Sequence, residues 1–320
     1  MTAGAADLQQ AAARARQAAA RTERRIAWAT IAAPAASTAL AFALALSGVA
    51  APGPVELAVL AALYLLTTLG ITVGFHRLFT HLSFAAPRPV RLAFGILGSM
   101  AAQGPLLYWV AAHRQHHRRS DRPHDPHSPY LKGEDRLDGL AGFLHAHTGW
   151  MLEPQGAANW AQVPDLLRDR TALFISHRYF AWVAAGLLLP AAISGLWHGS
   201  LAGAALGLLW GGLVRIFLQH HATWSVNSLG HMVGRRRFAT QDESRNNAFV
   251  AAITLGEGWH NNHHAFPYSA RHGLAWWEID PSWLAIRLLA WLGLASDLKT
   301  PRPHQIERQR SPAPGPGDSA

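Results

Sequence analysis

Three histidine-rich stretches hold the residues best suited to chemistry: HRLFTH at 76–81, HRQHH at 113–117 and HNNHH at 260–264. The last two share the pattern HxxHH, with imidazoles at i, i+3 and i+4. In a helix these are expected on one face. Neutral imidazoles gathered in this way suit a transition metal and would repel one another if protonated. HRLFTH is spaced differently. An i, i+5 pair does not share an α-helical face, so His76 is expected to end one helix and His81 to begin the next element. The eight histidines concerned are His76, His81, His113, His116, His117, His260, His263 and His264. One ion cannot use so many, so two metal ions are expected, each with an open position. A closed structural zinc site takes four ligands. Surplus nitrogen donors with few carboxylates favour iron or another imidazole-preferring metal.

What positions these clusters is apolar. Half of the 320 residues are hydrophobic, and the chain has 19 His, 13 Trp and no Cys. The lack of cysteine excludes disulfides, zinc–thiolate sites and cysteine-ligated iron–sulfur clusters. The net charge is +9, but the basic residues flank apolar runs. That pattern points to a membrane surface and not to nucleic acid. Four runs are long enough to cross a bilayer, at about 27–50, 55–75, 179–198 and 200–219, since a crossing takes roughly 20 residues. The first is too long for a signal peptide and no cleavage site follows it. The fold expected is an all-α integral membrane protein with four transmembrane helices in two hairpins. A cytoplasmic helical cap would carry the histidine-rich dimetal site.

Arg21, Arg24 and Arg25 precede the first run, and Arg77, Arg88 and Arg91 follow the second. Arg178 precedes the third, and Arg235, Arg236 and Arg237 follow the fourth. The excess of basic charge on one side places both termini, 76–177 and 220–300 in the cytoplasm, with all three clusters. Arg215, late in the fourth run, is expected to snorkel to that interface. Residues 90–112 are apolar but contain Gln103-Gly104-Pro105, a helix break. They are expected to lie in the interface and not to cross. Residues 1–26 read as a loose segment or surface helix, 27–300 as one domain and 301–320 as a disordered tail.

HRLFTH, HRQHH and LGEGWHNNHHAFPY closely resemble the three histidine boxes of membrane fatty acid desaturases, the stearoyl-CoA type in particular. The resemblance runs from about Tyr64 to about Asp297, and the chain is similar to a bacterial member. It implies a di-iron oxidoreductase, an acyl-CoA desaturase, that uses O2 to place a cis double bond mid-chain, at Δ9. TWSVNSLGH at 223–231 resembles a family segment that supplies a ninth ligand, here His231, and an asparagine that reaches a metal through water, here Asn227. The resemblance implies one iron held by His76, His113, His117 and His264 or a similar set. It also implies a bent acyl tunnel, with Gln103, Trp109 and Thr223 at the kink and Tyr64 and Thr68 at the closed end. The chemistry agrees: an unactivated methylene needs strong oxidising power drawn from O2, in a dry and shaped site.

Asp121, Asp125 and Glu257 are candidate acceptors for the outer N–H groups of the ligand imidazoles. His124 and His127 suit either that role or the surface. His145 and His147 are expected near headgroups, and His220 and His221 at the membrane exit. His177, His198, His272 and His304 carry no expected role. One departure from the family stands out. Animal members grip coenzyme A with Arg-Asp before the second box and Asn after the Gln; here these are Ala111-Ala112 and Gly104. Arg114, Arg118, Arg119 and Lys132 remain available for phosphates. Acyl-CoA is the first expectation, ahead of acyl-lipid or acyl-carrier protein. Electrons must come from a separate donor, such as a ferredoxin with its reductase, attracted to the basic face. The rival readings are a di-iron hydroxylase or alkane monooxygenase and a membrane metal transporter. A transporter would hold its ligands within the spans.

Overall fold

The structure, a computed structural model, describes residues 3–153 and 160–310. Helix α1 runs from Ala3 to Leu46, so the segment before residue 27 continues the first span as helix. Helix α2 (Pro54–Leu69) starts with Pro54 in its first turn, where the missing N–H costs nothing. The Glu56 carboxylate accepts the orphan Gly53 N–H at 2.9 Å. The same rod then continues as a π-helix over Gly70–Thr80.

Helix α3 (Arg88–Met100) and helix α4 (Leu106–Arg119) follow, separated at the predicted Gln103-Gly104-Pro105 break. Gly104 there adopts φ +103, which favours glycine. Neither helix is long enough to cross a bilayer. A two-residue hairpin pairs β1 (Leu131–Lys132) with β2 (Asp135–Arg136), with Leu131 opposite Arg136. Short helices α5 (Gly139–His147) and α6 (Arg170–His177) lead to α7 (Tyr179–His198). Gly199 at φ +59 stops α7, and the Ser200 hydroxyl caps α8 (Leu201–Gly207). A second π segment, Leu208–Val214, joins α8 to α9 (Arg215–Asn227). The rest of the chain adds α10 (Leu229–Met232), α11 (Ala248–Ile253), α12 (His260–Ala265), α13 (Pro281–Trp291) and α14 (Pro303–Gln309). The tail is therefore helical in part; 311–320 lie outside the described residues.

Four helices are long and apolar enough to cross a membrane: Ala20–Leu46, Pro54–Thr80, Tyr179–His198 and Leu201–Met232. They bear exposed Leu40, Phe42, Phe180, Leu188, Leu196 and Leu201, the surface expected against lipid. The second and fourth are longer than the apolar runs alone. The added length contains His76 and His231.

The second span packs unusually close to α3. A Cβ on Gly70 would lie 2.2 Å from Gly98 N, so the two backbones touch where glycine faces glycine. The main core gathers around the π segment through Val73, Phe75, Phe79, Val110 and Ile175. Arg215 corrects its expectation. It is fully buried and does not snorkel. Its guanidinium donates to the carbonyls of Gly211, Met100 and Gly186, to Thr67 Oγ1 and to Gln219 Oε1. Five neutral acceptors around one cation hold α3, α7, the second span and α9 together.

Candidate metal centre

The π winding decides the geometry of the first box. Its backbone pairs i with i+5, so His76 and His81 meet, with ring centroids 4.8 Å apart. The expectation that an i, i+5 pair cannot share a face holds for an α-helix and fails here. His81 is the residue that ends the π segment.

All nine histidines converge into two adjoining groups. His76, His81, His113, His117 and His263 form one, and His116, His231, His260 and His264 the other; within each, the ligand-type atoms lie within 4.8 Å of one another. Each HxxHH box straddles both groups. On α4 the i, i+4 pair His113 and His117 faces the first group and His116 the second. On α12 the pair His260 and His264 faces the second and His263 the first. Two expectations are corrected by this. The three histidines of a box do not serve one group, and His264 does not join His76, His113 and His117; His263 stands there. The helices α4 and α12 are wedged between the groups, so the i+3 residue falls on the far side.

The ring nitrogens cannot be reconciled as hydrogen bonds alone. His76 Nδ1 is 2.6 Å from Glu257 Oε2, so its proton belongs there and Nε2 is bare. His76 Nε2 meets His263 Nε2 at 3.1 Å, which meets His117 Nε2 at 2.9 Å, which meets His113 Nε2 at 3.0 Å. A neutral imidazole Nε2 donates or accepts, never both. With His76 accepting, the single hydrogen on His263 Nε2 would have to serve both His76 and His117, and the single in-plane lone pair of His117 Nε2 would have to accept from both His263 and His113. His231 Nε2 and His260 Nε2 are likewise 3.0 Å apart. His81 Nε2, His116 Nε2 and His264 Nε2 are buried with no hydrogen bond. Each such orphan costs about 1–3 kcal/mol. A cation inside each group resolves every one of these contacts, so the donor set fits metal.

Carboxylates stand behind the rings. Asp121 Oδ2 is 2.8 Å from His231 Nδ1, Asp125 Oδ1 2.9 Å from His116 Nδ1, and Glu257 behind His76 as above. These are the acidic residues expected from the sequence. Asp242, 2.8 Å from His264 Nδ1, was not; nothing in its spacing sets it apart from a surface acid. Burial, reinforced by neighbouring imidazoles, holds His81, His113, His116, His117, His260 and His263 well below the ordinary histidine range. They are neutral at pH 7, the form that binds metal. Burial also pushes the Asp125 carboxyl up to about 8. Burial alone would raise Asp121, but His231 and the hydrogen bonds around it outweigh that and bring it to about 2.

Several weaker expectations are revised. His272 is fully buried, 3.4 Å from Glu257 Oε2, with its ring 4.5 Å from that of His263. It forms a further acid–imidazole group with His76 and Glu257. His127 is buried too, its ring 4.2 Å from His116. His198 bonds Glu56 Oε1 at 3.0 Å. His147 reaches His221 Nδ1 and Ser228 Oγ, both at 3.0 Å, and His220 bonds the carbonyl of Ala102. None of these last three joins the two groups. Arg114 is committed to Asp165 at 2.6 and 2.9 Å and to the carbonyls of Phe79 and Thr80, so it is not free to hold a phosphate. Lys132 pairs with Glu153. Arg118 and Arg119 are exposed.

Beside the histidines run two cavities. The outer, about 520 Å³, is bounded by Glu23, Ile26, Glu153 and Trp160 and reaches inward to Gln103, Trp109 and His113. The inner, about 40 Å³, extends from His76 and His260 to Thr68 and Gln219. Trp109, His113, Thr223 and Asn227 line both. At this junction Gln103 Nε2 donates to Thr223 Oγ1 at 2.8 Å. The Trp109 ring stacks on His113 at 5.0 Å. Tyr64 lines neither cavity. Its hydroxyl donates to the Ile253 carbonyl at 2.6 Å, next to Thr254, which lines the inner one.

Comparisons with known proteins agree with this geometry. The sequence profile described as Fatty acid desaturase matches residues 54–290. The chain is 43% identical over 258 residues to a hex-5-enoyl-[acyl-carrier protein] acetylenase of Moorena producens (strain JHB), covering 80% of each chain. It is 41% identical over 240 residues to an sn-1 stearoyl-lipid 9-desaturase of Synechocystis sp. (strain ATCC 27184 / PCC 6803 / Kazusa), covering 75% of this chain and 70% of that one. With an acyl-CoA C20 Delta5-desaturase of Anemone leveillei the identity is 39% over 238 residues, 72% and 70% of the two chains. By their names the first is an acetylenase acting on an acyl-carrier protein substrate and the other two are desaturases, one acting on a lipid and one on an acyl-CoA. Paired histidine groups beside an apolar cavity, four spans and a profile match over most of the sequence agree: the chain is an oxidoreductase acting on fatty acids and belongs to the fatty acid desaturase family.

Proposed function

We propose that this chain is an O2-dependent fatty acyl desaturase that places a cis double bond mid-chain, at Δ9, in a long saturated acyl chain. One observation carries the reading: the two cavities meet at Trp109, His113, Thr223 and Asn227, directly beside both histidine groups. An acyl chain threaded through that junction would present a mid-chain methylene pair to the centre and keep its ends away.

His76, His81, His113, His117 and His263 would hold one iron, and His116, His231, His260 and His264 the other, with Asn227 reaching the centre through water. When bound, the two irons supply the electrons and oxidising power for O2-dependent hydrogen removal. The protein's part is positional. Trp109, fixed against His113, walls the bend. Gln103 locks Thr223 on its other side. Asp121, Asp125, Asp242 and Glu257 hold their imidazoles in the tautomer that turns Nε2 inward. Burial of His76, His116, His231, His260 and His263 would keep bulk water from the reacting carbons.

The excess of arginine at the histidine-bearing ends of the spans supports a cell-membrane protein with both termini and the site cytoplasmic. A separate electron donor, a ferredoxin-type protein with its reductase, docks on that face. The resemblance favours acyl-CoA. A second reading, an acyl-lipid substrate, is favoured by one observation: Arg114 is spent on Asp165, and Glu23 and Glu153 stand at the outer cavity, a poor setting for the phosphates of coenzyme A.

The test is fatty acid analysis of a host expressing this chain with a ferredoxin and reductase, with double-bond positions mapped. New cis-monounsaturated chains at one position, lost in His260→Ala and His117→Ala, are expected. Hydroxylated chains would move the reading to a hydroxylase, and purified protein with zinc alone would remove the di-iron centre.

A further inference from the structure

The inner cavity is apolar except at its far end, where two lining residues each carry a buried polar atom that a hydrocarbon cannot satisfy. Gln219 lines it on α9, and Thr68 lines it on α2. Gln219 Oε1 lies 3.3 Å from Arg215 Nη1 and 2.5 Å from Thr67 Oγ1. A guanidinium only donates, so the amide oxygen must face Arg215 and the amide nitrogen the other way. That nitrogen, Gln219 Nε2, is buried and makes no hydrogen bond. Thr68 Oγ1 is buried without one as well, whereas its neighbour Thr67 has two acceptors within reach of its one hydrogen, Gln219 Oε1 at 2.5 Å and the Leu63 carbonyl at 2.6 Å. Methylene groups cannot satisfy either atom, and leaving a buried donor unpaired is costly. The cavity, at about 40 Å³, is larger than the roughly 10–15 Å³ that a water-sized group requires.

We propose that the inner cavity binds a hydrogen-bonding oxygen at the far end of the acyl channel, held by the Gln219 amide and the Thr68 hydroxyl. The oxygen belongs either to an ordered water that caps the channel or to a substituent on the distal half of the substrate chain. Arg215 and Thr67 are the positioning residues that aim the amide. The inference rests on the reading of the cavities as an acyl channel and deepens it, since it sets which distal chain ends are accepted.

Equilibrium binding to the purified full-length protein in lipid nanodiscs tests this. The probes are a length series of saturated fatty acids, and the same chains with one ether oxygen at successive distal positions. If the substrate brings the oxygen, one ether isomer binds several-fold tighter than its all-methylene counterpart, and the preference disappears in Gln219→Met and in Thr68→Val. If water does, plain chains lose affinity beyond a length cut-off, and each variant moves that cut-off to longer chains. An unchanged binding profile in both variants overturns the proposal. Thr68→Val leaves the Arg215 contacts intact, so it reports even if Gln219→Met misfolds. Product analysis on the same preparations separates the two levels: altered binding with no desaturated product would sink the desaturase reading and leave the oxygen site standing.

Discussion

Glu257 places one carboxylate oxygen 2.6 Å from His76 Nδ1 and the other 3.2 Å from the Arg77 guanidinium, so two consecutive residues of the π segment grip the same side chain. Arg77 in turn holds both oxygens of Asp280 and the Ala270 carbonyl. Burial would raise the Glu257 carboxyl; the charges of His76, His272 and Arg77 outweigh it and hold it well below the usual carboxylate range. The first expected outcome follows. Glu257→Gln loses the charge behind His76 and weakens metal retention and turnover by about 10–100-fold. Iron per chain measured beside activity checks it, and full occupancy with full activity would refute the role.

The Gln103–Thr223 bond spans the cavity junction from the α3–α4 break to α9. Thr223→Val removes the acceptor at nearly constant volume. A hydrogen bond of about 1 kcal/mol corresponds to about a fivefold change. The expected result is a fivefold rise in KM, together with double bonds spread over adjacent positions in the mapped products. An unchanged regiochemistry would show that the bend does not depend on this bond.

Tyr64 braces α11 through Ile253, one residue from Thr254 at the inner cavity. Tyr64→Ala removes the ring and lets this wall retreat, so acceptance shifts toward longer chains. Tyr64→Phe keeps the ring and should keep the wild-type profile. Product chain length in the two variants decides the matter; equal shifts in both would assign the effect to the hydroxyl.

Gly70→Ala drives a methyl group into the backbone of Gly98 and Leu97, at 2.2 and 2.4 Å. Backbone cannot swing aside, so α2 and α3 must part. Overpacking of this kind costs about 1–3 kcal/mol, and the π segment carrying His76 and His81 begins at this contact. A lower Tm with impaired metal binding is expected. A stable, fully metallated variant would show that the close approach is dispensable.

Much of this was legible in the residues. Four apolar runs and their arginine flanks gave the spans, because a bilayer imposes length and charge bias on any helix that crosses it. The recurrence of HxxHH marked α4 and α12, and the acids Asp121, Asp125 and Glu257 were recognisable by proximity to the boxes. What only the tertiary structure decided is the partition. His263 and not His264 joins His76, because α4 and α12 lie between the two groups and a three-residue step carries a side chain across. His81 meets His76 because the helix is wound as π, which no periodicity in HRLFTH announces. Asp242, His272 and the amide of Gln219 were silent in the sequence, since their meaning lies in partners more than ten residues away, for Gln219 the Thr67 hydroxyl on α2. Spacing along the chain fixes which side chains share a local turn, and only packing between elements decides which of them share an ion.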